Sequence, residues 1–368
     1  MGLSFRLGDF ADATPAAAAY VGPMTSRTNT REKHAREPGK GHRPGPLIAL
    51  LIVPLVFATT VLTFAWPSAR LEPRDLPLGV AGPSSATAPI VRQLERDENA
   101  FDLHFYATES DARSAIEDRN VYGAIVASGG SPTLLTSSAA SPLVAGMLEN
   151  AYTTVTQAGR PAPRIEDVVP ADSDDPRGSV LSSLVLPLVL SSVIAAVIVS
   201  LLGKPGGAQA GALLTATALA GLVGIAMVQG WLGAFSGDWL VNAGVLFLTM
   251  VAIGSVIAGC VALMGTPGIA VGALTMILIG NPWSAVSTAP ELLPQPIGLI
   301  GQLLPPGAGG TLLRSTAFYD DAGAAMPLTV LVVWSVLGLS AIWAGAYLQR
   351  RREAAGDELP ERAVPTPS

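Results

Sequence analysis

Residues 281–327 read NPWSAVSTAPELLPQPIGLIGQLLPPGAGGTLLRSTAFYDDAGAAMP. The apolar run before them, 268–280, has only thirteen residues. At the α-helical rise it covers ~20 Å, short of the ~30 Å hydrocarbon core of a bilayer. Asn281-Pro282 is expected to break the helix, because proline lacks an N–H and drives its predecessor out of the α region. More prolines follow at Pro290, Pro294, Pro296, Pro305 and Pro306, and residues 307–310 (GAGG) read as a hinge. Irregular backbone at membrane depth survives only where protein or a water-filled cavity covers it. The stretch is therefore expected to be a re-entrant outer segment, 281–326, with other spans packed around it.

Composition supports the membrane setting. The chain has 368 residues, 49% of them hydrophobic and 14% charged, too apolar for an ordinary soluble protein. Between Ser179 and Gln349 the charged side chains are Lys204, Asp238, Glu291, Arg314, Asp320 and Asp321. The net charge of −6 gives no footprint for nucleic acid outside the basic N-terminal tail. The single cysteine, Cys260, lies in an apolar run and reads as packing. Arginine use over lysine, with abundant alanine and glycine, points to high-GC bacterial coding and hence to the bacterial plasma membrane.

Working outward, residues 1–46 lack apolar periodicity and read as a disordered basic tail, with Met1 or Met24 as the start. Arg27, Arg31, Lys33, Arg36, Lys40 and Arg43 place this tail in the cytoplasm. Residues 47–66 are twenty uncharged residues, long enough to span, and read as a retained anchor rather than a cleaved signal. Residues 67–178 change medium: nine Arg and sixteen acidic residues lie between Arg70 and Arg177. Strands are predicted at 76–81 (LPLGVA), 101–106 (FDLHFY), 121–127 (VYGAIVA) and 133–136. Helices are predicted over 86–98, 108–119 and 141–157, and Thr108 and Asp111 have capping-box spacing. Strands alternating with helices predict a small external α/β domain, long enough to bury its own core.

The remainder, 179–350, is expected to be a five-span membrane domain. Its spans fall at 179–202, 209–230, 240–263, the broken 268–280 and 327–348, so the whole chain is a six-span bundle with the α/β domain inserted after the first span. Lys204 and Arg350–Arg352 fall on the side of the basic tail, and Trp66, Trp231, Trp239 and Trp283 on the other. Both termini, including the tail 351–368, are then cytoplasmic, and 67–178 is external. The pairs Gly207/Gly211, Ala220/Gly224, Gly254/Ala258 and Gly268/Gly272 have helix-packing spacing.

Catalytic motifs are missing. No G-x-x-x-x-G-K-[ST], H-E-x-x-H or G-x-S-x-G occurs, and the three histidines, His34, His42 and His104, make no metal set. No enzymatic activity, cofactor or metal is expected. The candidate gate region comprises Asn281, Pro282, Trp283, Glu291, Arg314 and Asp238. Two readings stand for its charges: ordinary solvated boundary residues, or a Glu291–Arg314 pair facing across the re-entrant segment and holding its closed form.

The layout resembles the permease subunits of type-2 ATP-binding-cassette exporters, in the phage-infection-protein-like branch with a large external domain. The residues carrying this are ESDARSAIEDRNVYGAIV (109–126), Asp175-Pro176-Arg177-Gly178, the clustered C-terminal spans, and NPWSAVSTAPELLPQP with LLPPGAGG; the likeness covers roughly 47–350. It implies a permease surrounded by membrane lipid, working as a homo-dimer or hetero-dimer and relying on a separate cytoplasmic ATPase. One departure stands out. The loop 203–208 (GKPGGA) is too short and too rich in Gly and Pro for the docking helix such permeases place there. A non-transporting envelope scaffold or surface receptor, acting through the external domain, is the alternative reading.

Overall fold

The computed structural model describes residues 45–96, 99–127, 132–156 and 164–357. The basic cluster at Arg27–Arg43, both candidate starts and residues 358–368 lie outside the described residues. The protein is mostly helical. Five helices are long and apolar enough to cross a membrane, and a small mixed sheet domain is inserted after the first of them.

Helix α1 (Gly45–Ser68) exposes its apolar side chains, among them Val53, Leu55, Phe57 and Leu62. The sheet domain follows: β1 (Leu76–Ala81), α2 (Ser84–Leu94), β2 (Phe101–Tyr106), α3 (Glu109–Glu117), β3 (Gly123–Val126), β4 (Thr133–Thr136), α4 (Pro142–Thr156) and β5 (Arg164–Asp167). Strand order is β2-β1-β3-β4-β5, antiparallel at β3/β4 and parallel elsewhere. The alternation of strand and helix thus gives the expected α/β layering. The expected capping box forms at the start of α3, where Thr108 Oγ1 accepts from the Asp111 N–H and the Asp111 carboxylate accepts from the Thr108 N–H.

One sheet face, with Ala124, Val126 and Leu135, packs on α3 through Ala112, Ala115 and Ile116. The other face, with Leu76, Leu78, Ile125 and Leu134, packs on α4 through Val144 and Leu148. That second core is not self-contained: Ala289 and Leu292, from far along the chain, complete it, Leu292 being fully buried. The expectation of a domain burying its core alone is corrected here.

The bundle is built on α7 (Trp239–Met264), which is apolar all round and is covered over most of its surface by its neighbours. Around it pack α5 (Ser179–Leu202), α6 (Gly207–Ile225, continued by a π-turn over Ala226–Trp231), α8 (Pro267–Leu274), α11 (Pro305–Phe318) and α12 (Ala325–Asp357). Asp175 starts α5: its Oδ1 accepts from Ser179 N at 3.0 Å and its Oδ2 from Val180 N at 2.7 Å. Small residues bring helices together where lipid offers no hydrophobic drive. A methyl on Gly272 would lie 2.9 Å from Ile257 Cα, and one on Gly259 would lie 2.7 Å from Ala341 Cβ. Gly211, by contrast, faces open space.

Two expectations about the fifth span change. The helix does not break at Asn281-Pro282: α8 runs through a π-turn (Thr275–Gly280) into α9 (Asn281–Trp283), so one short apolar helix covers Pro267–Trp283. The π-turn changes the hydrogen-bond register just ahead of Pro282, so its missing N–H falls in the first turn of α9, where it disrupts least. Nor is 307–310 a hinge. These residues lie inside α11, buried throughout, and act as close-packing surface: a methyl on Gly309 would run into Thr249 and one on Gly310 into Val286.

Candidate functional site

The helix α3 ends in a Schellman motif, with Arg119 N–H bonding Ile116 O at 3.0 Å and Asn120 N–H bonding Ala115 O at 2.8 Å. Its left-handed residue is Arg119 (φ 62°), where glycine would be cheaper by about 1 kcal/mol. The strained position aims a guanidinium away from the sheet domain. Arg119 Nη1 donates to Thr311 O at 3.2 Å and to the Ser315 hydroxyl, and the guanidinium lies 5.4 Å from the centre of the Tyr319 ring. Burial pushes this guanidinium below its ordinary pKa.

Three residues on, Tyr122 leads into β3 and donates its hydroxyl to Glu291 Oε2 at 2.8 Å. Burial, and next the Glu291 charge, push that hydroxyl well above its usual pKa. Glu291 sits on a 3₁₀ turn, Pro290–Leu292, stitched to the segment 72–74 that leads into β1. Glu72 N donates to Leu292 O at 3.2 Å, Arg74 N to Glu291 O at 3.0 Å, and Arg74 Nη1 to Leu292 O at 2.9 Å.

From the bundle side α11 supplies Thr311, Arg314 and Ser315. Arg314 is 5% exposed. Its Nη2 donates to Val286 O at 2.8 Å, while its Nε is buried with no hydrogen-bond partner. Thr311 Oγ1 donates to Gln302 Oε1 at 2.7 Å, and Gln302 Nε2 to Ser284 O at 2.8 Å, which ties α11 to α10 (Ile297–Gln302) and to the end of α9. Arg119, Tyr122, Glu291, Gln302, Thr311 and Arg314 wall a cavity of about 530 Å³ between the sheet domain and the near end of the bundle, with Leu299, Met326 and Pro327 at its apolar side.

Of the six residues singled out in the sequence, the structure brings two together, Glu291 and Arg314, which line the same cavity. They do not form the expected pair. Among the described residues no ion pair within 4.0 Å includes either one, because Tyr122 takes the Glu291 carboxylate and a backbone carbonyl takes Arg314. Asn281, Pro282 and Trp283 form α9, whose end packs against α10; a methyl on Gly301 would collide with the Trp283 carbonyl. Asp238 caps α7, accepting from Leu240 N at 2.8 Å and Val241 N at 2.9 Å, and is not a cavity residue. Arg119, Tyr122, Gln302 and Thr311 also line the cavity and are not singled out by the sequence. The arginine in the left-handed position after α3 is the one local oddity that could have flagged them.

A crevice of about 10 Å³ lies between α5, α7 and α11, lined by Leu181, Val185, Leu246 and Leu313. That is room for no more than about one water.

Known proteins give no match. No family model, curated protein or solved structure matches the chain.

Proposed function

We propose that this chain is the transmembrane, permease-like subunit of an exporter driven by a separate ATPase. The observation carrying the reading is the layout: five apolar helices, a sheet domain inserted after the first, and a short helical hairpin, α10–α11, whose second arm is buried against α7. With the short Pro267–Trp283 helix as a sixth, thinner crossing, both termini fall on the cytoplasmic side and the sheet domain outside. The Lys204–Glu353 pair at 3.2 Å supports this, because it puts the α5–α6 turn beside the Arg350–Arg352 end of α12, as the positive-inside pattern requires. In this reading the hairpin is the element that must move for a path through the bundle to open.

A specific observation keeps a second reading in play. Only four residues, Gly203–Gly206, join α5 to α6, and no docking helix fits there. A non-transporting envelope scaffold acting through the sheet domain has no need of one. Purification of the tagged chain in mild detergent decides between them. A stoichiometric ATPase partner, lost on trimming α12 at Arg350, is the result expected of the permease. Solitary purification, with a phenotype confined to sheet-domain deletions, would give the scaffold reading instead.

A further inference from the structure

The cavity between the sheet domain and the bundle carries more positive charge than its own side chains neutralise. Two guanidiniums, Arg119 and Arg314, face it against one carboxylate, Glu291, and none of the three makes an ion pair within 4.0 Å. Arg314 is the sharper case. It lines the cavity, it is 5% exposed, it makes a single hydrogen bond to Val286 O, and its Nε is buried without a partner. A buried charge left in that condition is costly, and proteins otherwise pair it or neutralise it.

The planar fork of a guanidinium matches the oxygens of carboxylate or phosphate. The net of one positive charge matches a monoanion, and about 530 Å³ accommodates a headgroup-sized ligand. The rim adds a second requirement. Leu299 and Met326 are each 56% exposed there, beside Pro327, so a ligand leaving past them meets apolar surface.

We propose that this cavity is an oxyanion site, holding a phosphate or carboxylate between Arg119 and Arg314, and that its apolar rim suits the headgroup of an anionic amphiphile. The site rests on the membrane reading above and not on coupling to an ATPase, so its test is run on the purified chain alone.

The full chain is placed in nanodiscs of phosphatidylcholine, with and without phosphatidylglycerol, and thermal unfolding is followed. A third arm adds inorganic phosphate to the phosphatidylcholine discs. The expected result is a higher Tm with phosphatidylglycerol, and about tenfold weaker retention of that lipid by Arg119→Asn, a change that keeps a residue tolerant of the left-handed backbone. Arg314→Lys, which keeps the charge but loses the fork, should fall between. A Tm rise with inorganic phosphate and none with phosphatidylglycerol would assign the site to a free anion. If neither probe shifts Tm, or if the Arg119→Asn chain responds as the parent does, there is no oxyanion site. Should Arg314→Lys fail to fold, Arg119→Asn and the two probes still decide.

Discussion

Replacing Leu292 by alanine tests the most unexpected contact in the fold, the plug from the α9–α10 connection into the core of the sheet domain. Leu292 is fully buried among Leu76, Leu78, Ile125, Leu134, Val144 and Leu148. Truncating a buried leucine costs ~3–5 kcal/mol, the upper values where the site cannot collapse. Here collapse is restricted, because Glu72 N and Arg74 Nη1 hold the Leu292 carbonyl at 3.2 and 2.9 Å. We therefore expect about 4 kcal/mol, which corresponds to roughly 1,000-fold faster exchange for amides released by opening of that core. Hydrogen–deuterium exchange read by mass spectrometry on the full chain is the assay. Peptides covering β1 and β3 should lose protection by about that factor, while α7 peptides stay as in the parent. Unchanged exchange in β1 and β3 would refute the shared core, and equal losses in α7 would mean that Leu292 serves the bundle instead.

Other consequences are as concrete. Gly301→Ala should destabilise the chain and lower its accumulation, because the added methyl runs into the Trp283 carbonyl; Gly211→Ala, with nothing near it, should be neutral or gain up to about 1 kcal/mol in thermal unfolding. Glu166 is bidentate to Arg113, with Nη1 to Oε1 at 2.8 Å and Nη2 to Oε2 at 2.7 Å, and this hydrogen bonding holds its pKa below the usual carboxylate value. A depressed carboxylate stabilises above its unfolded pKa and stops doing so as pH falls through its folded one. Glu166→Gln should thus cost at most about 1 kcal/mol at neutral pH, the pair being surface-exposed. The gap from the parent should close below about pH 4, as pH-dependent unfolding would read out.

The sheet domain was legible because its signals are local. The period-2 runs at 76–81 and 101–106 and the Thr108/Asp111 capping box each need only their neighbours, and all three appear where expected. Strand β5 was not legible: RIED is charged, lies at the sheet edge and is mostly exposed, so it carries no burial pattern. The bundle was legible as apolar lengths, but its details were not. Prolines and glycines in 281–310 signal irregular backbone, and the chain spends them on a π-turn and on tight helix packing instead of on a break and a hinge. The site was half legible. Isolated charges in apolar sequence marked Glu291 and Arg314, whereas the contact from Arg119 to Ser315 spans 196 positions and has no local signature beyond an arginine where a glycine is usual.

The permease reading depends on the proposed sidedness, with the sheet domain outside and the Lys204–Glu353 end inside. Impermeant thiol labelling of intact cells tests it most directly, in a background where Cys260 is replaced by serine. Ser114→Cys on α3 and Ser236→Cys on the α6–α7 turn, both exposed, should label from outside. Lys204→Cys, also exposed, should label only after the membrane is opened. Labelling of Lys204→Cys in intact cells, with Ser114→Cys protected, would invert the topology and remove the basis for the permease reading.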